Sequence, residues 1–175
     1  WCSSAAQTFS NLAAGGTTGI INFSGTGSNS VTISGDQLFT GTINVAQAVT
    51  MTGGSNASIA GLGYATGLNI NSGGTITLAT AASNNSFIGA SLCSGLTLTI
   101  NSGGTLTSAA GSITTFHLNP GSFMLAGGTL AWGGVSSSAW GSWNLDHDIA
   151  VTDNSTISAN FMTFTQSGGT AFNVT

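Results

Sequence analysis

The chain has no Lys, no Arg and no Glu, and its only acids are Asp36, Asp146, Asp148 and Asp153. Charged residues make up 2% of the 175 positions, where a globular chain ordinarily carries about 25%. Without a basic side chain the protein cannot neutralise a row of phosphates, which excludes nucleic acid as a partner. It also has nothing to draw it to anionic lipid. Uninterrupted apolar runs fall short of the roughly 18 residues a spanning helix needs, so no membrane insertion of that kind is expected. No basic segment followed by an apolar run opens the chain, so no signal peptide is read at Trp1. A start at Trp1 rather than Met points to a processed product or an excerpt of something longer.

Straight-chain helix formers are scarce, while 27 Gly, 26 Thr, 25 Ser and 15 Asn dominate. That balance disfavours helices and predicts an all-β chain. Disorder is disfavoured too. The mean hydropathy is +0.34, and β-branched and aromatic residues recur at alternating positions, opposite to a solvated tail.

A repeat organises what is present. Asn71-Ser72-Gly73-Gly74-Thr75-Ile76-Thr77 returns thirty residues later as Asn101-Ser102-Gly103-Gly104-Thr105-Leu106-Thr107. Looser copies contain Gly53-Gly54, Gly127-Gly128 and Gly168-Gly169, with Gly15-Gly16 as a weak early one. Reading the two longest gaps as double steps gives about 22 residues per repeat, the short end of the range for solenoids. Alternation puts Leu68 and Ile70, Ile76 and Leu78, and Leu96, Leu98 and Ile100 on one strand face. Glycines supply the sharp corners. One coil cannot bury its apolar face alone, whereas stacked coils share a continuous core. Neutral Thr, Ser and Asn can stack in register where like charges would repel. The expected fold is therefore a parallel β-helix (β-solenoid) of about 7–8 coils forming a single domain over 1–175. A β-sandwich with Gly-rich turns is the structural alternative, and an amyloid-like assembly of the same composition is a further one.

The strand–N-S-G-G-T-[IL]-T–strand pattern, at Asn71–Thr77 and Asn101–Thr107, resembles the autotransporter-associated β-strand repeats of bacterial surface proteins. Trp143-Asn144-Leu145 through Phe172-Asn173-Val174 is similar to later coils of such passengers. The resemblance spans about residues 30–175 and implies a right-handed β-helix exported to a bacterial cell surface, adhesive or structural in role. No outer-membrane barrel follows, because the chain stops at Thr175 in mid-pattern. A fragment, subunit or cleaved passenger of a longer fibre is expected.

The candidate sites are few. Asp146 and Asp148, with Asp153 following, would lie on one face if 145–151 is a strand, roughly 6–7 Å apart. Two carboxylates at that spacing suit glycoside hydrolysis or, with carbonyl help, Ca²⁺. The competing reading is a solvated strand edge and turn. No Lys or Arg is available to face an acidic polysaccharide, which argues against cleavage of one. The 131–143 stretch interrupts the repeat and holds Trp132, Trp140 and Trp143, suited either to stacking on surface glycans or to packing on the solenoid wall.

Six Thr-x-Thr triplets (Thr40/Thr42, Thr50/Thr52, Thr75/Thr77, Thr97/Thr99, Thr105/Thr107 and Thr163/Thr165) raise an ice-binding alternative, but their spacing is irregular. His117 precedes a turn and is read as structural. Cys2 and Cys93 would sit about four coils, roughly 20 Å, apart, beyond the about 7 Å a disulfide bridges. No Cys2–Cys93 bond is expected, and Cys2 is left to pair with another chain.

No cofactor is implied. Strand edges are ordinarily guarded by Lys, Pro or a cap, and here there is no Lys and a single Pro120. The chain is therefore expected to be a non-enzymatic extracellular scaffold whose partners are copies of itself, joined end to end or laterally.

Overall fold

The computed structural model describes residues 7–10, 19–25, 31–34, 41–52, 66–79, 85–88, 96–109, 115–118, 121–131, 143–145, 149–158, 162–164 and 172–174. In chain order the strands are β1 (Gln7–Ser10), β2 (Ile20–Ser24), β3 (Val31–Ser34), β4 (Thr42–Ala46), β5 (Ala48–Thr52) and β6 (Gly67–Ile70). Next come β7 (Thr75–Ala79), β8 (Asn85–Ile88), β9 (Thr97–Asn101), β10 (Thr105–Ser108), β11 (Thr115–Leu118) and β12 (Ser122–Ala126). The last are β13 (Thr129–Ala131), β14 (Trp143–Leu145), β15 (Ile149–Thr152), β16 (Thr156–Ser158), β17 (Met162–Phe164) and β18 (Phe172–Val174).

These strands form three sheets. Sheet I runs β1-β3-β5-β7-β10-β13-β16, sheet II runs β2-β4-β6-β9-β12-β15-β18, and sheet III runs β8-β11-β14-β17. Every ladder in them is parallel, and each strand pairs with its equivalent one coil away. The one antiparallel contact among the described residues is an isolated bridge between Asn101 and Gly127. This is a parallel β-helix, not a barrel or sandwich. From β6 onward the chain visits sheets II, I and III in turn.

Leu98 illustrates why the coils hold together. It stacks between Leu68 below and Phe123 above, and all three are buried. Beside that column runs a second one of Val45, Ile70, Ile100, Leu125 and Val151. Sheet I faces them with Val49, Ile76, Leu106 and Leu130. Each Leu or Ile removed from water contributes about 1.5–3 kcal/mol, and stacking lets short strands share that gain.

The coil length differs from the expected 22. Along sheet II, Ile21, Ile43, Leu68, Leu98, Phe123, Ile149 and Phe172 are in register. Their steps are 22, 25, 30, 25, 26 and 23 residues, a mean of about 25. The shorter figure came from treating every Gly-Gly pair as the same corner. Gly73-Gly74, Gly103-Gly104 and Gly127-Gly128 do occupy one corner, between a sheet II and a sheet I strand. Gly53-Gly54 follows a sheet I strand instead, and Gly168-Gly169 precedes the sheet II strand β18. Both of those pairs lie outside the described residues.

The shared corner needs its two glycines for different reasons. Gly74 N–H donates to Asn71 O at 2.8 Å, closing a four-residue turn whose third residue, Gly73, has φ +78°, the conformation a type II turn requires. Gly74 itself has no room for a Cβ, which would collide with the Val45 carbonyl of the rung below.

Candidate functional site

The outer face of sheet I is built from the positions between the buried ones. Because Val49, Ile76, Leu106 and Leu130 point inward, alternation turns the residues on either side of them to solvent. The register then stacks Thr75, Thr105, Thr129 and Thr156 in one column above Ala48. The neighbouring column holds Thr32, Thr50, Thr77 and Thr107, continuing into Ala131 and Ser158, and the backbone register extends it down to Thr8. Thr32, Thr50, Thr75, Thr77, Thr105, Thr107 and Thr129 are half-buried between their neighbours, and Thr156 is exposed. The hydroxyls of Thr75, Thr77, Thr105 and Thr129 are engaged by no other side chain or carbonyl among the described residues. Thr107 Oγ1 donates to Ser108 O at 3.3 Å.

The six triplets divide between sheets. Thr50/Thr52, Thr75/Thr77 and Thr105/Thr107 lie on sheet I, whereas Thr97/Thr99 belong to sheet II. Thr42 is also on sheet II and Thr163 on sheet III, while Thr40 and Thr165 lie outside the described residues. The irregular sequence spacing comes from unequal excursions between rungs. Within sheet I, Thr75/Thr77 and Thr105/Thr107 are in register, whereas Thr50 pairs with Thr77 and Thr52 with Ser34 and Ala79.

Sheet II presents a different exterior. Asn44 Nδ2 donates to Asn22 Oδ1 at 2.8 Å, and Asn69 Nδ2 donates to Asn44 Oδ1 at 2.8 Å. At the adjoining corner Asn101 Nδ2 donates to Asn71 Oδ1, also at 2.8 Å. These amide ladders were not anticipated. A signal for them was present: Ile21-Asn22-Phe23, Ile43-Asn44-Val45 and Leu68-Asn69-Ile70 repeat an apolar–Asn–apolar triplet.

Of the acidic candidates, only Asp153 falls among the described residues. It sits at the exposed corner between β15 and β16 with φ +56° and accepts from Thr152 Oγ1 at 3.3 Å. Next to it, Ser155 Oγ accepts from Gly127 N–H at 2.9 Å and lies 2.9 Å from Leu125 O and 2.7 Å from Thr152 O. The corner is thus tied to the rung below by a hydroxyl rather than by a Gly-Gly pair.

The reading of 145–151 as one strand is corrected. β14 ends at Leu145 in sheet III and β15 begins at Ile149 in sheet II, so the chain changes sheets there. Asp146 and Asp148 lie outside the described residues. No cluster of three His, Cys, Asp or Glu side chains occurs among the described residues.

The Trp-rich insert is narrower than 131–143. Ala131 closes β13, and Trp143 opens β14 in register with Phe116 and Met162. Trp132 and Trp140 lie outside the described residues, as do Cys2 and Cys93.

The class of protein is thus a parallel β-solenoid whose outer strand faces, among the described residues, are uncharged. No protein-family model, curated protein or solved structure matches the chain, so its likeness to autotransporter-associated repeats rests on the motifs alone.

Proposed function

We propose that the chain is a non-enzymatic, extracellular structural or adhesive β-solenoid, a module of a bacterial surface fibre such as its repeats resemble. The observation that carries this reading is rung-on-rung stacking through neutral ladders, with Asn22, Asn44 and Asn69 as its clearest case. Such a stack can be extended without charge repulsion between successive rungs. At the two ends of the stack, β2 and β18 each pair on one side among the described residues. Neither carries a Lys or Pro to discourage a further strand. Additional rungs, from the same polypeptide or a second copy, fit there by parallel strand addition.

Sedimentation velocity and electron microscopy over a concentration series test the reading. Elongated oligomers that grow with concentration are expected, and a monodisperse monomer at high concentration overturns end-to-end assembly. Replacing Asp146, Asp148 and Asp153 together by Asn is expected to leave assembly unchanged. A polysaccharide-cleaving activity abolished by that replacement would instead establish an enzyme.

A further inference from the structure

The threonine face of sheet I is unexplained by a scaffold role. Stacking requires neutral outward residues, yet sheet II meets that need with Asn, Ser, Ala, Gly and Met as well as Thr. On sheet I, by contrast, Thr75, Thr105, Thr129 and Thr156 stand in one column above Ala48, and Thr32, Thr50, Thr77 and Thr107 in the next, which continues into Ala131 and Ser158. Successive rungs are about 4.7–4.9 Å apart, and positions i and i+2 along a strand about 6.6–6.8 Å apart. The result is two adjoining columns rich in threonine, complete across both at Thr75/Thr77 and Thr105/Thr107 and interrupted at Ala48, Ala131 and Ser158.

We propose that this face binds the surface of ice. The face carries no charge and no aromatic ring, so an ionic ligand has no partner on it and a sugar ring has no indole or phenol to stack on. A neutral lattice matching both repeats is what it fits. Ice is such a lattice: its water molecules both donate and accept, and they recur regularly in two directions.

The face is also ordered before it binds. β-Branching restricts χ1 of each Thr, and packing between neighbouring rungs holds it further, so little side-chain entropy remains to be lost. The hydroxyls of Thr75, Thr77, Thr105 and Thr129, unengaged among the described residues, can bond to lattice water. Each contact is weak, and the affinity comes from many acting on one rigid plane. The inference holds equally for a monomer and for a fibre.

An ice-recrystallisation assay on the 175-residue chain tests it, with crystal shaping observed under a microscope. The unaltered chain is expected to keep ice grains small and to facet single crystals. Thr77→Tyr with Thr107→Tyr, which raise two rings from adjacent rungs of the face, are expected to abolish both effects. Thr97→Tyr on sheet II is expected to leave them intact, with circular dichroism unchanged in each variant. Thr105→Lys gives an independent readout in the neighbouring column should the double variant fold poorly. Absence of activity in the folded chain overturns the proposal, as does activity that survives both face variants. Binding to a crystalline polysaccharide, or a face-to-face dimer, that the same substitutions abolish while ice is unaffected would assign the face to that occupant instead.

Discussion

Asn69 donates its side-chain N–H to the Oδ1 of Asn44 at 2.8 Å, joining residues 25 positions apart on consecutive rungs of sheet II. Asn44 in turn donates to Asn22, so its one amide serves two hydrogen bonds. Replacing Asn44 by Ala removes both. At about 0.5–1.5 kcal/mol net per bond, with water able to recover part of the loss, the expected cost is about 1–2 kcal/mol. Asn154→Ala, at an exposed corner without such bonds among the described residues, is expected to change stability by less than about 0.5 kcal/mol. Urea denaturation of the two variants compares them directly.

The adjacent glycines of a corner are expected to respond unequally to one methyl group. Gly73→Ala forces a side chain into φ +78°, and the left-handed conformation costs about 1–2 kcal/mol. Its Cβ meets nothing nearer than Ala46 O at 3.7 Å, so Gly73→Asn, which tolerates that conformation, recovers most of the loss. Gly74→Ala drives its Cβ into the Val45 backbone, which cannot rotate away. A cost of about 3 kcal/mol is expected, with no rescue by Asn. Melting temperatures of the three variants decide the point.

At the β15–β16 corner the order of preference changes. Asp153 has φ +56°, and Asp and Asn accept this region better than branched residues do. Asp153→Gly is expected to fall within about 0.5 kcal/mol of the parent, whereas Asp153→Val loses about 1–2 kcal/mol. Thermal unfolding at one fixed pH separates them.

Leu98→Ala leaves a cavity between Leu68 and Phe123. The expected loss is about 2–5 kcal/mol. Because each rung contacts its neighbours in the stack, the weakening should spread along the axis rather than across the whole chain. Native-state hydrogen exchange is expected to accelerate in β6, β9 and β12 before β2 or β18. Uniform acceleration would show the solenoid to unfold as one unit.

Much of the fold was legible before any coordinates. Leu68, Ile70, Ile76, Leu78, Leu96, Leu98 and Ile100 are all buried as alternation required, because a side-chain period of two is a local property of any strand. The corner glycines at 73–74, 103–104 and 127–128 were equally visible. What misled was the assumption that one dipeptide marks one corner. A Gly-Gly pair is useful at any sharp turn, and this β-helix has three sides to turn between.

The outward columns were less visible. Thr129 and Thr156 belong to the threonine columns although neither is part of a Thr-x-Thr triplet, while Thr97 and Thr99 form a triplet and lie on another sheet. The Asn ladder joins residues 22 and 25 positions apart, a spacing that no single period contains.

The amino-acid sequence by itself determined which residues of the repeat strands point inward and that no charge appears on most rungs, since both follow from chemistry within a few neighbouring positions. Only the tertiary structure decided which rung residue stands above which. Excursions of 18 to 30 residues separate stacked partners in sheet I. The register is chosen by the fit of apolar columns across the core, and the outward threonines and asparagines are carried into line by that choice.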